Sequence, residues 1–264
     1  MHEWGDPGSP TMVALHGVTA HGERFKQLAE ERWARHFHVV APDLRGHGRS
    51  GWDAPWDFPT HVADLIETID DLGLERPHWV GHSFGGRLVL EFAARHPERI
   101  DRAVLLDPAV DILPHVAEFM AEVESAEPIV ASAEASVAER HDASEIDVAR
   151  ALADVPLHHD VLPDGRLRRR TSQDAVVSIY RELATKSPPP DTLTAPTLLV
   201  YAPVYGLVRD DHLEAYGDRV EVVTVPGLHM VMWSAFDETA DAVERFLLQD
   251  SADASMGSSA KGRS

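Results

Sequence analysis

Gly81-His82-Ser83-Phe84-Gly85 sets a serine between two glycines, where the apolar run Pro77 to Val80 meets a segment, Arg87 to Arg95, with Leu88, Val89 and Phe92 on one helical face. A strand that turns into a helix over one residue holds its serine in a strained conformation, and Gly81 and Gly85 let neighbouring backbone approach closely. The Ser83 hydroxyl then stands above the sheet as a nucleophile. The Phe84 amide points at an anion forming beside it. A serine hydroxyl attacks poorly unless a base takes its proton as the bond forms. Among 16 histidines, His229 in Pro226-Gly227-Leu228-His229-Met230 is the best placed base, because it lies between the last expected strand and the closing helix.

The imidazole in turn needs a carboxylate that fixes its tautomer. Tyr205 stands where an acid after the strand Thr197 to Tyr201 is expected, and it cannot serve. Asp107, at the end of the strand that follows the nucleophile helix, satisfies the order serine, acid, histidine. Asp210 and Asp211 are alternatives, since Gly206 allows their loop to bend back. The second donor to an oxyanion is the Val18 amide, just past the early strand and His16-Gly17. His16, His82 and Asp43 are read as structural. Trp52, Trp56, Phe84, Met120, Tyr205, Met230 and Trp233 are candidates for an apolar acyl pocket, although ordinary packing also accounts for each.

Positioning these residues requires repeated strands separated by helices. Thr11 to Leu15, Phe37 to Ala41, Pro77 to Val80, Asp101 to Leu106, Thr197 to Tyr201 and Val220 to Val225 are short apolar runs suited to a parallel sheet buried on both faces. Helices are expected at Glu23 to Trp33, at Pro59 to Leu72 with Val62, Leu65, Ile66 and Ile69 facing the sheet, and at Phe236 to Leu248. The rhythm breaks between Ala109 and Leu193. His115 to Val130, Ala131 to Asp154 and Ser172 to Ala184 are helix candidates there, forming a roof over the C-terminal edge of the sheet. Pro163-Asp164-Gly165 is a turn, and Arg168-Arg169-Arg170 is read as a surface cluster paired with carboxylates.

Composition bounds the function. A chain of 264 residues, 44% hydrophobic, suffices for one main domain with an insertion. With 44 acidic against 24 basic side chains the net charge is -20, which disfavours nucleic acid and anionic membranes as partners. The absence of cysteine excludes disulfides, thiolate metal sites and a cysteine nucleophile. No histidine cluster has ligand spacing and no nucleotide loop is present, so neither metal nor cofactor is expected. Met1 to Pro7 lacks a basic region and an apolar run, and no stretch has transmembrane length, so a soluble cytoplasmic protein is expected.

His16-Gly17, Asp43-Leu44-Arg45-Gly46-His47-Gly48-Arg49-Ser50, Gly81 to Gly86 and Pro226 to His229 together resemble the alpha/beta-hydrolase superfamily, in its serine carboxylesterase-like branch with a helical cap, over Glu3 to Leu248. The resemblance implies an α/β fold, a mostly parallel sheet flanked by helices, with core at 1–109 and 194–249 and a cap at 110–193, while the polar, small-residue composition of 250–264 predicts a disordered tail. It implies Ser83 as the acylated residue, His229 as base and acid, and the Val18 and Phe84 amides as oxyanion hole. The departure at Tyr205 resembles members whose acid sits one strand earlier, as Asp107 does here. Members often open on a fuller hairpin, so the sheet is expected to lack its first strand. A serine argues against the epoxide hydrolases and haloalkane dehalogenases of this fold, which use aspartate. The implied substrate is a small or medium apolar carboxylic ester. Lactone, thioester or carbon-carbon hydrolysis, cofactor-free perhydrolysis, and a small-molecule receptor on the same scaffold are the alternatives.

Overall fold

The computed structural model describes residues 1–126, 129–138 and 147–249. Strand β1 (His2–Trp4) is followed by β2 (Thr11–Leu15), α1 (Lys26–Glu31), β3 (His38–Ala41), α2 (Phe58–Asp71), β4 (His78–His82), α3 (Phe84–Arg95) and β5 (Ala103–Leu106). The chain then leaves the sheet for α4 (Pro114–Glu124), β6 (Ile129–Val130), α5 (Ala133–Ala138), α6 (Val148–His158), β7 (His159–Val161), β8 (Leu167–Arg169) and α7 (Gln173–Leu183). It returns at β9 (Thr197–Tyr201) and ends with α8 (Asp210–Tyr216), β10 (Val220–Thr224), α9 (Val231–Ser234) and α10 (Phe236–Leu248).

Seven strands form one sheet in the order β1-β3-β2-β4-β5-β9-β10. Every pairing is parallel except β1 with β3, where Glu3 faces Val40. The architecture is thus the alternating α/β one expected from the short apolar runs. Along β2, Val13 and Leu15 pack into one core while Met12 and Ala14 pack into the other, and β5 divides Leu105 from Val104 and Leu106 in the same way. Strands apolar on both faces must be covered on both, which is why helices flank the sheet. Burial of side chains such as Trp79, whose ring packs at a tilt with its centroid 4.3 Å from that of Phe92, stabilises by about 1.5–3 kcal/mol each.

Helix α2 begins where Asp57 accepts a hydrogen bond from the Thr60 amide at 2.8 Å, with Pro59 in the first turn. Val62, Leu65 and Ile69 are buried and Ile66 packs at the margin, as the helical spacing predicts. The opening is a three-residue antiparallel edge strand rather than a fuller hairpin. The helix expected from Glu23 to Trp33 is divided, with 3-10 turns at Gly22–Phe25 and Trp33–Arg35 enclosing α1. Phe25, Leu28 and Ala29 still face inward.

The excursion between β5 and β9 departs further from the helical roof that the sequence suggests. Its helix from His115 ends at Glu124, and Ile129–Val130 pairs with β8 instead. The stretch Ala131 to Asp154 holds two helices, α5 and the start of α6, with the residues between partly outside the described ones. Gly165, at φ 85°, closes a turn that pairs β7 with β8, so this region carries a three-stranded antiparallel sheet, β6-β8-β7. Residues 159–169 contain neither alanine nor glutamate, and the Pro163-Asp164-Gly165 turn lets the two flanking runs pair as strands. Arg87, fully buried on α3, ties down both stems of the excursion through the carbonyls of Val110 and Lys186. No described helix is long and apolar enough to cross a membrane. The segment 250–264, expected to be disordered, lies outside the described residues.

Candidate active site

Ser83 occupies the single residue between β4 and α3, at φ 55° and ψ -115°. That backbone is costly for any residue with a side chain. Its neighbours explain why it persists. A Cβ on Gly81 would lie 2.3 Å from the Gly85 carbonyl oxygen, and one on Gly85 2.1 Å from that of Leu15, so only glycine lets the elements close this tightly. The Ser83 carbonyl accepts from the amides of Arg87 and Ala109 at 3.1 and 3.0 Å, while its own amide donates to Leu106.

Asp107 follows β5 and is completely buried, with φ 40°. Its amide donates to the Val200 carbonyl at 2.7 Å, fixing the turn. One carboxylate oxygen, Oδ1, accepts from the Ala202 amide at 3.3 Å, and Oδ2 lies 2.7 Å from Nδ1 of His229. Because a carboxylate only accepts, Nδ1 carries the proton and Nε2 is left as the bare, basic nitrogen. Three further contacts set the imidazole. His82 Nε2 donates to the His229 carbonyl at 2.9 Å, the Tyr205 ring stacks on the imidazole at 4.7 Å and 12°, and Gly227 turns the loop at φ 92° against Ser234. Asp211 is paired with Arg209, and Asp210 is exposed at the start of α8, so neither meets His229.

The loop after β2 passes close to the serine, since a Cβ on Gly17 would lie 3.1 Å from Ser83 Cβ and 3.6 Å from Oγ. His16 holds this loop: its Nδ1–H donates to the Gly17 carbonyl at 2.8 Å and its Nε2 accepts from the Leu44 amide at 2.9 Å. Burial, aided by His47, pushes the His16 imidazole well below its ordinary value, which suits a neutral ring that accepts at one nitrogen. Asp43 shapes the next loop. Burial raises its carboxyl, but hydrogen bonds from His2, Arg49 and Gly22 outweigh that and hold it below the usual carboxylate range. Phe84, first residue of α3, directs its amide out of the helix N-terminus while its ring is buried against Phe58 and His61.

Ser83, Val18 and His229 line one cavity of about 530 Å³. Met120, Tyr205, Met230 and Trp233 also line it, as the sequence suggests. Trp52 and Trp56 do not. Trp52 is an exposed ring on the loop beyond Gly48, and Trp56 packs beside Gly46 against the main core. The walls that sequence analysis missed come from the excursion: Ile112, Val123, Tyr180 and Leu183 on an apolar side, and Asp154, His158 and Arg169 on a polar one. Arg168 and Arg170 do pair with Asp160, but Arg169, alternating with them along β8, turns to the cavity and donates to the Glu124 carbonyl at 2.7 Å. Strand alternation is the signal that separates these arginines, and it is invisible until β8 is known to be a strand.

The chain is similar in sequence and in fold to known proteins. The alpha/beta hydrolase fold family matches residues 10–140. Lipase LipV of Mycobacterium tuberculosis is 34% identical over 201 residues, covering 75% of this chain and 76% of that protein. A monoacylglycerol lipase of Mycolicibacterium smegmatis is 31% identical over 84% of each chain. Among solved structures, E-2-(acetamidomethylene)succinate hydrolase superposes with a TM-score of 0.82 at 25% identity, covering 93% of both chains. On the likeness of its sequence and its fold, the chain belongs to the alpha/beta hydrolase family.

Proposed function

We propose that the protein is a serine hydrolase that cleaves a small or medium apolar carboxylic ester through an acyl-enzyme, with Ser83, His229 and Asp107 as its catalytic triad. The observation that carries this is the 2.7 Å contact between His229 Nδ1 and a fully buried Asp107, on the cavity that also holds the strained Ser83. Ser83 Oγ attacks the ester carbonyl as His229 Nε2 takes its proton, and Asp107 stabilises the imidazolium. The Val18 and Phe84 amides receive the charge on the tetrahedral oxygen. His229 then protonates the departing alcohol, water adds to the acyl-enzyme with the same base, and the carboxylic acid leaves.

The excursion 110–193 acts as the cap that selects the substrate. Its apolar wall suits an acyl chain or an aryl group. Arg24, on the cavity wall, is already paired with Asp154 at 2.9 Å, which suits an uncharged ester. A net charge of -20 likewise favours a small neutral substrate over nucleic acid or anionic lipid. The names of the two lipases support ester hydrolysis as the reaction class. The test is turnover of a p-nitrophenyl ester series by the protein and by Ser83→Ala. Release of p-nitrophenol that depends on Ser83 and favours short or medium acyl chains is expected, and equal release by the folded alanine variant would overturn the proposal.

A further inference from the structure

Thr19 stands one residue after Val18 and is held at φ 58°, a left-handed backbone that a β-branched side chain rarely adopts. It is the third residue of a turn closed by the Ala20 amide on the Gly17 carbonyl at 3.2 Å, a place where positive φ favours glycine. Thr19, Ser83 and Asp107 are the only residues other than glycine with positive φ among the described ones, and the other two are in the proposed catalytic triad.

The excursion grips this turn from above. His158, at the end of α6 and 2% exposed, lies with Nε2 2.9 Å from the Thr19 carbonyl and 3.3 Å from Thr171 Oγ1. Burial, with His21 and Arg24 nearby, pushes its imidazole well below the ordinary value, so the ring is neutral and its single N–H is available to that carbonyl. The Thr19 hydroxyl lies 3.4 Å from Glu124 Oε2 on α4. Just along the chain, His21 stacks on His158 at 4.5 Å, and both His21 and Arg24 meet Asp154 of α6, at 3.0 and 2.9 Å. Helix α6 therefore clamps the whole segment that follows Val18.

We propose that His158 is a positioning residue, which holds Thr19 in its strained conformation through the 2.9 Å bond to the Thr19 carbonyl and so keeps the Val18 amide directed at the oxyanion. The inference rests on the ester-hydrolase reading for its catalytic consequence, and on geometry alone for the clamp. Without the tie, Thr19 relaxes to negative φ, the turn rearranges and the Val18 donor moves away. The cap then does two things, shaping the pocket and completing the catalytic site.

The test is a cycle of His158→Phe, which keeps the ring stacked on His21 but loses the donor, and Thr19→Gly, which accepts positive φ without strain. Turnover of a short p-nitrophenyl ester and the amide cross-peaks of uniformly ¹⁵N-labelled protein are both read. Loss of one oxyanion donor costs about 10²–10³ in kcat, so the displaced amide in His158→Phe is expected to lower kcat about 10- to 100-fold with KM changed less than about threefold. Thr19→Gly in that background is expected to recover most of the loss and to return the Val18 cross-peak towards its wild-type position. Unchanged kcat with a raised KM, an unmoved Val18 cross-peak, or a loss that Thr19→Gly leaves in place each overturns the proposal. The cross-peaks report the clamp even if Ser83→Ala shows that turnover does not depend on the serine, so the two readings fail separately. Should His158→Phe not fold, Asp154→Ala loosens the same segment and is expected to lower kcat and move the Val18 cross-peak in the same sense. A folded Asp154→Ala protein with neither change contradicts the clamp.

Discussion

The ring of Tyr205 lies flat against the imidazole of His229, with centroids 4.7 Å and planes 12° apart. Tyr205 thus takes no part as an acid yet still contacts the histidine, filling one face of it while Asp107 reaches Nδ1 from the neighbouring strand end. Aromatic pairs of this kind contribute about 0.5–1.5 kcal/mol, so Tyr205→Ala is expected to lower kcat about 2- to 10-fold through a looser imidazole. Tyr205→Phe keeps the ring and is expected to stay within about twofold of wild type. A Phe variant as impaired as the Ala variant would assign the effect to the hydroxyl instead.

Asp107→Asn tests the carboxylate. The amide cannot favour the tautomer that leaves Nε2 basic, and the corresponding change in a well-studied protease costs about 10⁴ in kcat. A fall of that order is expected here, with the fold retained by circular dichroism. Near-normal turnover in the folded variant would remove Asp107 from the mechanism.

Much of this site was legible because its chemistry sits at the ends of short apolar runs. Ser83, Asp107 and His229 follow the strands β4, β5 and β10 of one parallel sheet, so order along the chain translated directly into position along one edge of the sheet. The cavity wall was less legible. Helix α6 buries Ala151, Val155 and His158, residues spaced for one helical face, but its composition alone does not say whether that face meets the sheet or the loop after β2. Trp52 and Trp56 misled for a simpler reason: a large aromatic near a catalytic loop in sequence need not share its cavity. Nor did Thr19 carry any signal, since its strain comes from contacts with residues more than a hundred positions away.

Stability should fall with acid. Burial pushes His47 down to about 4 and His61 down to about 3, so both are neutral in the folded protein through a range in which the unfolded chain binds protons. Below the unfolded value near 6.5 the unfolded state gains protons that the native state refuses, and stability is lost as pH falls towards those values, by up to about 1.4 kcal/mol per pH unit for each group. Both ring nitrogens of His61 lack a hydrogen-bond partner among the described residues. His61→Phe is therefore expected to raise the urea midpoint, and to raise it more at pH 5 than at pH 7. An equal gain at both pH values would show that His61 does not contribute to the acid sensitivity.

Arg87 offers a purely structural test. It is fully buried, paired with Glu91 at 2.9 Å, stacked over Phe58, and bonded to carbonyls on both stems of the excursion. Arg87→Leu strands Glu91 with Arg95 as its remaining partner and leaves those carbonyls without their donor. A loss of about 3–5 kcal/mol in urea unfolding is expected. A loss below about 1 kcal/mol would mean that the stems hold without it.

The most direct measurement is the intact-protein mass after exposure to a fluorophosphonate, with Ser83→Ala and His229→Ala alongside. The account predicts one covalent adduct on the wild-type protein, none on Ser83→Ala, and strongly slowed labelling of His229→Ala, because the serine is activated only through the imidazole that Asp107 holds. Labelling of the Ser83→Ala protein, or a folded wild-type protein that takes no adduct, would contradict Ser83 as the nucleophile.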